Sequence, residues 1–240
     1  MPLLESIARH KYKFSVFGLL VAASAVSVIL AATRIAYSGT RDYASLVWNL
    51  FLAWVPFVFA ALAYSLSWGR KMLYLVVTAC AVVWLLFFPN APYILTDFQH
   101  LSTSAASAPV WFDVLMLIWF AWTGLLLGVT SLFMVQEIVT HNFGRLTGWA
   151  FALGVILLSS VGIYLGRFLR WNSWDVLQDP LPLAHDLWSL IRHPFANIGT
   201  YGFIGLYTLL FLFVYLAMHA FGRIMQERRP IADAAPSPRP

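Results

Sequence analysis

Asp97 and His100 stand three residues apart in FFPNAPYILTDFQHL, residues 87–101. On a helical turn, residues at that spacing share a face. A carboxylate beside an imidazole can do acid–base work or hold a divalent cation such as zinc or manganese. A second charged pair, Arg167 and Arg170, has the same spacing in GIYLGRFLRWNSWD, residues 162–175. Guanidinium groups suit phosphate or carboxylate, which they can grip through two parallel N–H bonds. The same side chains also fit a plainer role. Asp97 set against Arg167 or Arg170 would be a brace between two partly buried charges. An arginine at a helix end can also simply reach toward headgroups.

The elements that position these groups follow from composition. The chain has 240 residues, 61% hydrophobic and 10% charged, with a mean hydropathy of +0.77. A soluble domain carries about 25% charged residues, so lipid must be this chain's main solvent. Residues 14–33, 43–69, 72–96, 114–136, 146–166 and 193–222 contain no Asp, Glu, Lys or Arg. About 20 apolar residues cross a bilayer as a helix. Barrel strands would read as alternating segments of about 10 residues, which these are not. The fold expected is all-α: an integral membrane bundle of about six transmembrane helices near residues 14–35, 46–67, 72–88, 113–135, 147–169 and 199–221. Residues 1–13 form a basic N-terminus, 14–222 the membrane domain, and 223–240 a tail rich in proline and alanine that is expected to be disordered. The first apolar run exceeds a signal-peptide core of about 7–15 residues and reads as a retained anchor.

The basic residues set orientation. With the N-terminus inside, ten Lys and Arg fall on inner segments, including Arg70 and Lys71 of the SWGRK turn, and five fall outside. The positive-inside bias therefore puts both termini in the cytoplasm. The formal charge of +5 is explained by this clustering at helix ends, so no nucleic-acid partner is expected. Cys80 is the single cysteine and leaves no internal disulfide or CxxC motif.

This topology explains the odd stretch at 87–101. The third helix should stop at Pro89, since proline removes a donor and disfavours helix in the residue before it. YILTDFQHL is too short to span, so a re-entrant or interfacial segment is expected, tolerated where protein or water satisfies its backbone. Span counting then gathers Asn49, Asn90, Asp97, His100, Asp113, Arg167, Arg170, Asn172 and Asp175 near one membrane surface. Asp113, Asp175 or His185 could complete a metal shell around Asp97 and His100. The spacing specifies no metal, and no cofactor is expected beyond that possible divalent cation.

Two small-residue spacings, Gly124 with Gly128 and Gly162 with Gly166, predict close packing of the fourth and fifth helices against each other. Pro56 should kink the second helix. Residues 180–193 form a short amphipathic segment before the sixth helix, suited to the membrane surface. Trp48, Trp111, Trp171, Trp174 and Trp188 map to the same outer side as an aromatic belt.

FPNAPYILTDFQHL, NLFLAWVPF at 49–57 and GRFLRWNSWD at 166–175 resemble signatures of the bacterial domain-of-unknown-function 1361 membrane proteins, over about residues 45–220. The resemblance implies a multi-pass inner-membrane protein. It transfers no activity and no catalytic residue. Three functions are compatible with the residues. The outer polar cluster could bind a small anionic ligand, a lipid headgroup or a membrane partner protein. It could serve an enzyme through Asp97 and His100. The chain could also be a small-molecule transporter, although its helix centres lack the charges such proteins usually keep at mid-membrane.

Overall fold

The computed structural model describes residues 2–67, 74–101, 108–193 and 195–227, with side chains from residue 15 to residue 224 in those stretches. The side chains of the basic N-terminus, residues 68–71 of the SWGRK turn, most of the serine–alanine loop and the tail from Arg228 lie outside the described residues.

The described residues are helical, and six helices are long and apolar enough to cross a membrane. The chain is a multi-pass membrane protein. Helix α1 (Pro2–Ser38) carries the first span at Ser15–Ser38, and α2 (Ala44–Ser67) the second. Helix α3 (Tyr74–Phe87) ends where Pro89 requires it. It is followed by the single turn α4 (Asn90–Tyr93) and a 3-10 segment, Ile94–His100. Helix α5 (Val110–Phe143) and α6 (Arg145–Phe168) are joined at Gly144, whose φ is 89°. A left-handed turn of this kind is where glycine costs least. Then come α7 (Asp175–Gln178), the amphipathic α8 (Pro180–Arg192) and the last span, α9 (Ile198–Glu227).

Helix α5 is the central post. Its 34 residues, at about 1.5 Å each, extend about 51 Å, well past a hydrocarbon core of about 30 Å. It packs against α1, α2, α4, the 3-10 segment, α6 and α9. Apolar side chains alone cannot specify contacts inside lipid, so small residues and hydrogen bonds matter there. Trp54 Nε1 donates to Ser24 Oγ at 3.0 Å, tying α2 to α1, and Trp84 Nε1 donates to Ser131 Oγ at 3.2 Å, tying α3 to α5.

The broken stretch after α3 is a core element. Phe88, Ala91 and Ile94 are fully buried, and α4 lies among α2, α5 and α6. Its backbone stays in the right-handed helical region, so most of its polar groups bond locally, as lipid burial demands.

This position corrects the expected glycine packing. Helices α5 and α6 do touch, but their four glycines do not meet across that contact. A Cβ on Gly124 would lie 2.5 Å from the Ala91 carbonyl oxygen, and one on Gly128 would lie 3.2 Å from the Ala91 Cβ. Gly162 faces Pro89, at 2.8 Å, and Gly166 faces the Tyr93 ring, at 3.2 Å. All four glycines close on the proline-broken turn, which is held between the two helices. Gly124→Ala is therefore expected to cost about 1–3 kcal/mol, the usual range for overpacking against atoms that cannot yield. Gly154→Ala, where a Cβ meets nothing within 4 Å, should be neutral or slightly stabilising. Thermal unfolding of both variants in detergent checks the contrast; equal midpoints would contradict it.

Candidate functional site

Three elements bring one ion-pair network together. Asn49 lies in the second turn of α2, Asp97 and His100 on the 3-10 segment, and Arg167 in the last turn of α6. A cation there also suits the negative end of the helix dipole. Arg167 Nη1 donates to Asp97 Oδ1 at 3.1 Å, and Asn49 Nδ2 donates to the other carboxylate oxygen at 2.9 Å. Arg167 Nη2 donates to the Thr96 carbonyl at 3.1 Å and meets His100 Nε2 at the same distance. With its carbonyl turned inward, Gln99 accepts from Arg167 as well. The Arg167 guanidinium lies 5.8 Å from the centre of the Tyr93 ring. Asp97 is 2% exposed, while the His100 side chain is 45% exposed. The guanidinium and the carboxylate thus satisfy each other inside the bundle, and Gln99 and His100 carry the network to the surface.

Asp113 is elsewhere. It sits in the first turn of α5 and pairs with Arg34, one turn before the end of α1. Arg34 Nε and Nη2 donate to the two carboxylate oxygens at 2.5 and 3.2 Å. This is the two-bond geometry of the strongest charge-assisted pairs. Asp113 also lies at the helix end whose dipole favours its sign. Both side chains are 1–2% exposed, and the guanidinium lies 5.4 Å from the centre of the Tyr43 ring. A cavity of about 180 Å³ opens beside this pair, lined by Thr33, Arg34, Tyr37, Pro109, Trp111 and Phe112.

The remaining candidates serve the backbone. Asn90 Nδ2 donates to the Phe87 carbonyl at 2.9 Å and to Ser173 Oγ at 3.0 Å, which ties α4 to the loop after α6. Asp175 Oδ2 accepts from the Asn172 backbone N–H at 2.6 Å and from its side chain at 3.1 Å, a local turn. Arg170 is exposed, with φ 61°. Its left-handed backbone ends α6 and lets the Trp171 N–H fold back onto the Leu165 carbonyl at 3.1 Å, a position glycine usually takes. Trp171 Nε1 in turn donates to Asp186 at 2.9 Å and fastens α8 to the bundle.

The nine expected site residues therefore do not form one constellation. Asn49, Asp97, His100 and Arg167 come together. Asp113 answers Arg34, Asn90 answers Ser173, Asn172 and Asp175 answer each other, and Arg170 faces outward. Neither Asp113 nor Asp175 completes a metal shell with Asp97 and His100, and His185 lies beside Asp186. Among the described residues, no group of three or more His, Cys, Asp or Glu converges.

Arg34 and Gln99 were not read as site residues. Arg34 ends the first apolar run as a lone charge, and nothing local names Asp113, 79 positions away, as its partner. Gln99 did carry a signal, since it neighbours His100 in the marked motif.

No curated protein and no solved structure matches the chain. A family model described as a protein of unknown function (DUF1361) matches residues 48–216, a stretch that holds both ends of the Asp97–Arg167 network and the turn that α5 and α6 enclose. The chain belongs to that family.

Proposed function

We propose that this chain is a membrane-embedded binding protein of the bacterial inner membrane. Both termini are cytoplasmic, and the end of the bundle that carries Asp97 faces outward. The ten-to-five bias of basic residues supports that orientation. What it binds at the outer end is an anionic group, carried by a small ligand, a lipid headgroup or a partner protein.

One observation carries this reading. Of the two arginines three residues apart, Arg167 is consumed by Asp97, whereas Arg170 is turned outward on a left-handed backbone and makes no ion pair among the described residues. Its neighbours add a surface for association. Helix α8 has only Leu183 buried and leaves Leu181, Trp188 and Ile191 exposed. The enzyme reading retains only half-exposed His100, because Asp97 is sealed behind Arg167.

Arg170→Gly removes the charge and suits the left-handed backbone, so it should leave the fold intact. Purified protein titrated with inorganic phosphate and with short-chain phosphatidylglycerol should show saturable binding at the outer end, weakened about tenfold by Arg170→Gly, a loss typical of one charge-assisted contact. Binding that is absent for both probes, or indifferent to the substitution, would overturn the reading.

A further inference from the structure

The opposite end of the bundle holds a second group of polar side chains. It is independent of the outer site. His219 on α9 packs its ring edge-to-face against Trp149 on α6, with centroids 4.9 Å apart. Phe133 on α5 and Tyr215 on α9 complete the enclosure. The Tyr215 hydroxyl donates to Gln136 on α5. His219 Nε2 is buried in this aromatic surround and has no hydrogen-bond partner among the described residues.

The Trp149–His219 contact fixes what lies one turn farther along. Four residues back along α6, on the face that carries Trp149, is Arg145. Four residues onward along α9, on the face that carries His219, is Arg223. The two helices pack together. The first turn of α6 and the last turns of α9 therefore lie at the same end, and both arginines extend from the contact in the same direction. Both act electrostatically on the His219 ring. Both are exposed, and neither forms an ion pair among the described residues. The start of α6 adds to the positive field, since Gly144 gives its first turn no side-chain cap. Of the acids nearest in sequence, Glu137 on α5 is exposed and outside any ion pair among the described residues, and the side chain of Glu227, four residues past Arg223, lies outside the described residues.

Two guanidiniums with no ion pair among the described residues, a helix start and an imidazole nitrogen without a hydrogen bond there converge on one kind of ligand, a phosphate oxygen. The surroundings say which carrier brings it. Phe143, Leu146 and Phe221 are 65–85% exposed and adjoin the arginines in sequence. A free phosphate has no use for such a collar, while acyl chains do. We propose that Arg145, Arg223 and His219 form a binding site for the phosphodiester headgroup of an anionic phospholipid, held between α6 and α9 at the end opposite Asp97. The arginines grip the headgroup oxygens, one oxygen supplies the partner His219 Nε2 lacks, and the acyl chains lie on the exposed phenylalanine and leucine side chains.

Native mass spectrometry of the full chain tests this. The probes are phosphatidylglycerol, phosphatidylcholine and inorganic phosphate. The intact protein should retain phosphatidylglycerol over phosphatidylcholine by about tenfold, a modest figure for two basic side chains at a lipid surface. Arg145→Gln with Arg223→Gln should remove the preference. The corresponding double lysine variant should keep most of it, and Arg170→Gly should leave it unchanged. A preference that survives the double glutamine variant overturns the site. Displacement of the lipid by millimolar inorganic phosphate overturns the lipid as ligand. Loss of the preference in the double lysine variant with the fold intact overturns charge as its basis.

Discussion

Arg34→Met should be the most damaging single substitution in the bundle, at about 3–5 kcal/mol, the range for breaking a buried ion pair from one side. The arithmetic follows from burial. The Asp113 side chain is 2% exposed, and methionine would leave its charge buried without the guanidinium that neutralises it. The loss of the guanidinium–Tyr43 contact adds to the damage. The partner substitution separates pairing from packing. Arg34→Met combined with Asp113→Leu removes both charges, and buried ion pairs exchanged for apolar side chains of similar volume often lose nothing. The double variant should therefore recover most of the stability lost by Arg34→Met. Thermal unfolding in detergent, with yield of folded protein as a second readout, gives the comparison. A double variant no better than the single would show that the pair contributes shape rather than charge balance.

The second large effect concerns the Asp97 network, and it is asymmetric. Arg167→Met should cost about 3–5 kcal/mol, because Asp97 would keep only Asn49 as a firm partner inside the bundle. Asp97→Asn should cost less, about 1–3 kcal/mol. Arg167 would still donate to the Thr96 carbonyl, to Gln99 and toward His100. The double variant should be non-additive by about 0.5–3 kcal/mol, as for side chains in direct contact. Additive losses would mean that the 3.1 Å contact contributes nothing of its own. A companion Arg170→Gly variant should not change stability, since that charge has no ion-pair partner among the described residues.

These two pairs also show why the bundle needs its few charges. Apolar helices in lipid have no hydrophobic preference for one neighbour over another. Arg34 with Asp113 fixes α1 against α5. Arg167 with Asp97 fixes α6 against the broken turn after α3, and Asn49 brings α2 into the same network. The four glycines that face Ala91, Pro89 and Tyr93 then let that turn sit deep between α5 and α6. Charge selects which elements meet, and missing Cβ atoms set how closely they approach.

The sequence alone determined the solvent and the elements. Charge-free runs of about 20 residues leave one solution in lipid, so six spans, the break at Pro89 and the short amphipathic helix before the last span could all be read from residue type and period. It also marked Asp97 and Arg167, since a charge at the edge of an apolar run needs a partner. Tertiary structure decided which partner. Arg167 and Arg170 have the same type and nearly the same position, yet a left-handed residue ends α6 between network and surface and sends the second arginine outward. Asp113 and Asp97 lie on the same side of the bundle, but each is close to a different arginine. Glycine spacing announced close approach without naming the element that approaches. Pairing and burial depend on three-dimensional neighbours as many as 96 positions apart, and no local pattern of residues encodes that distance.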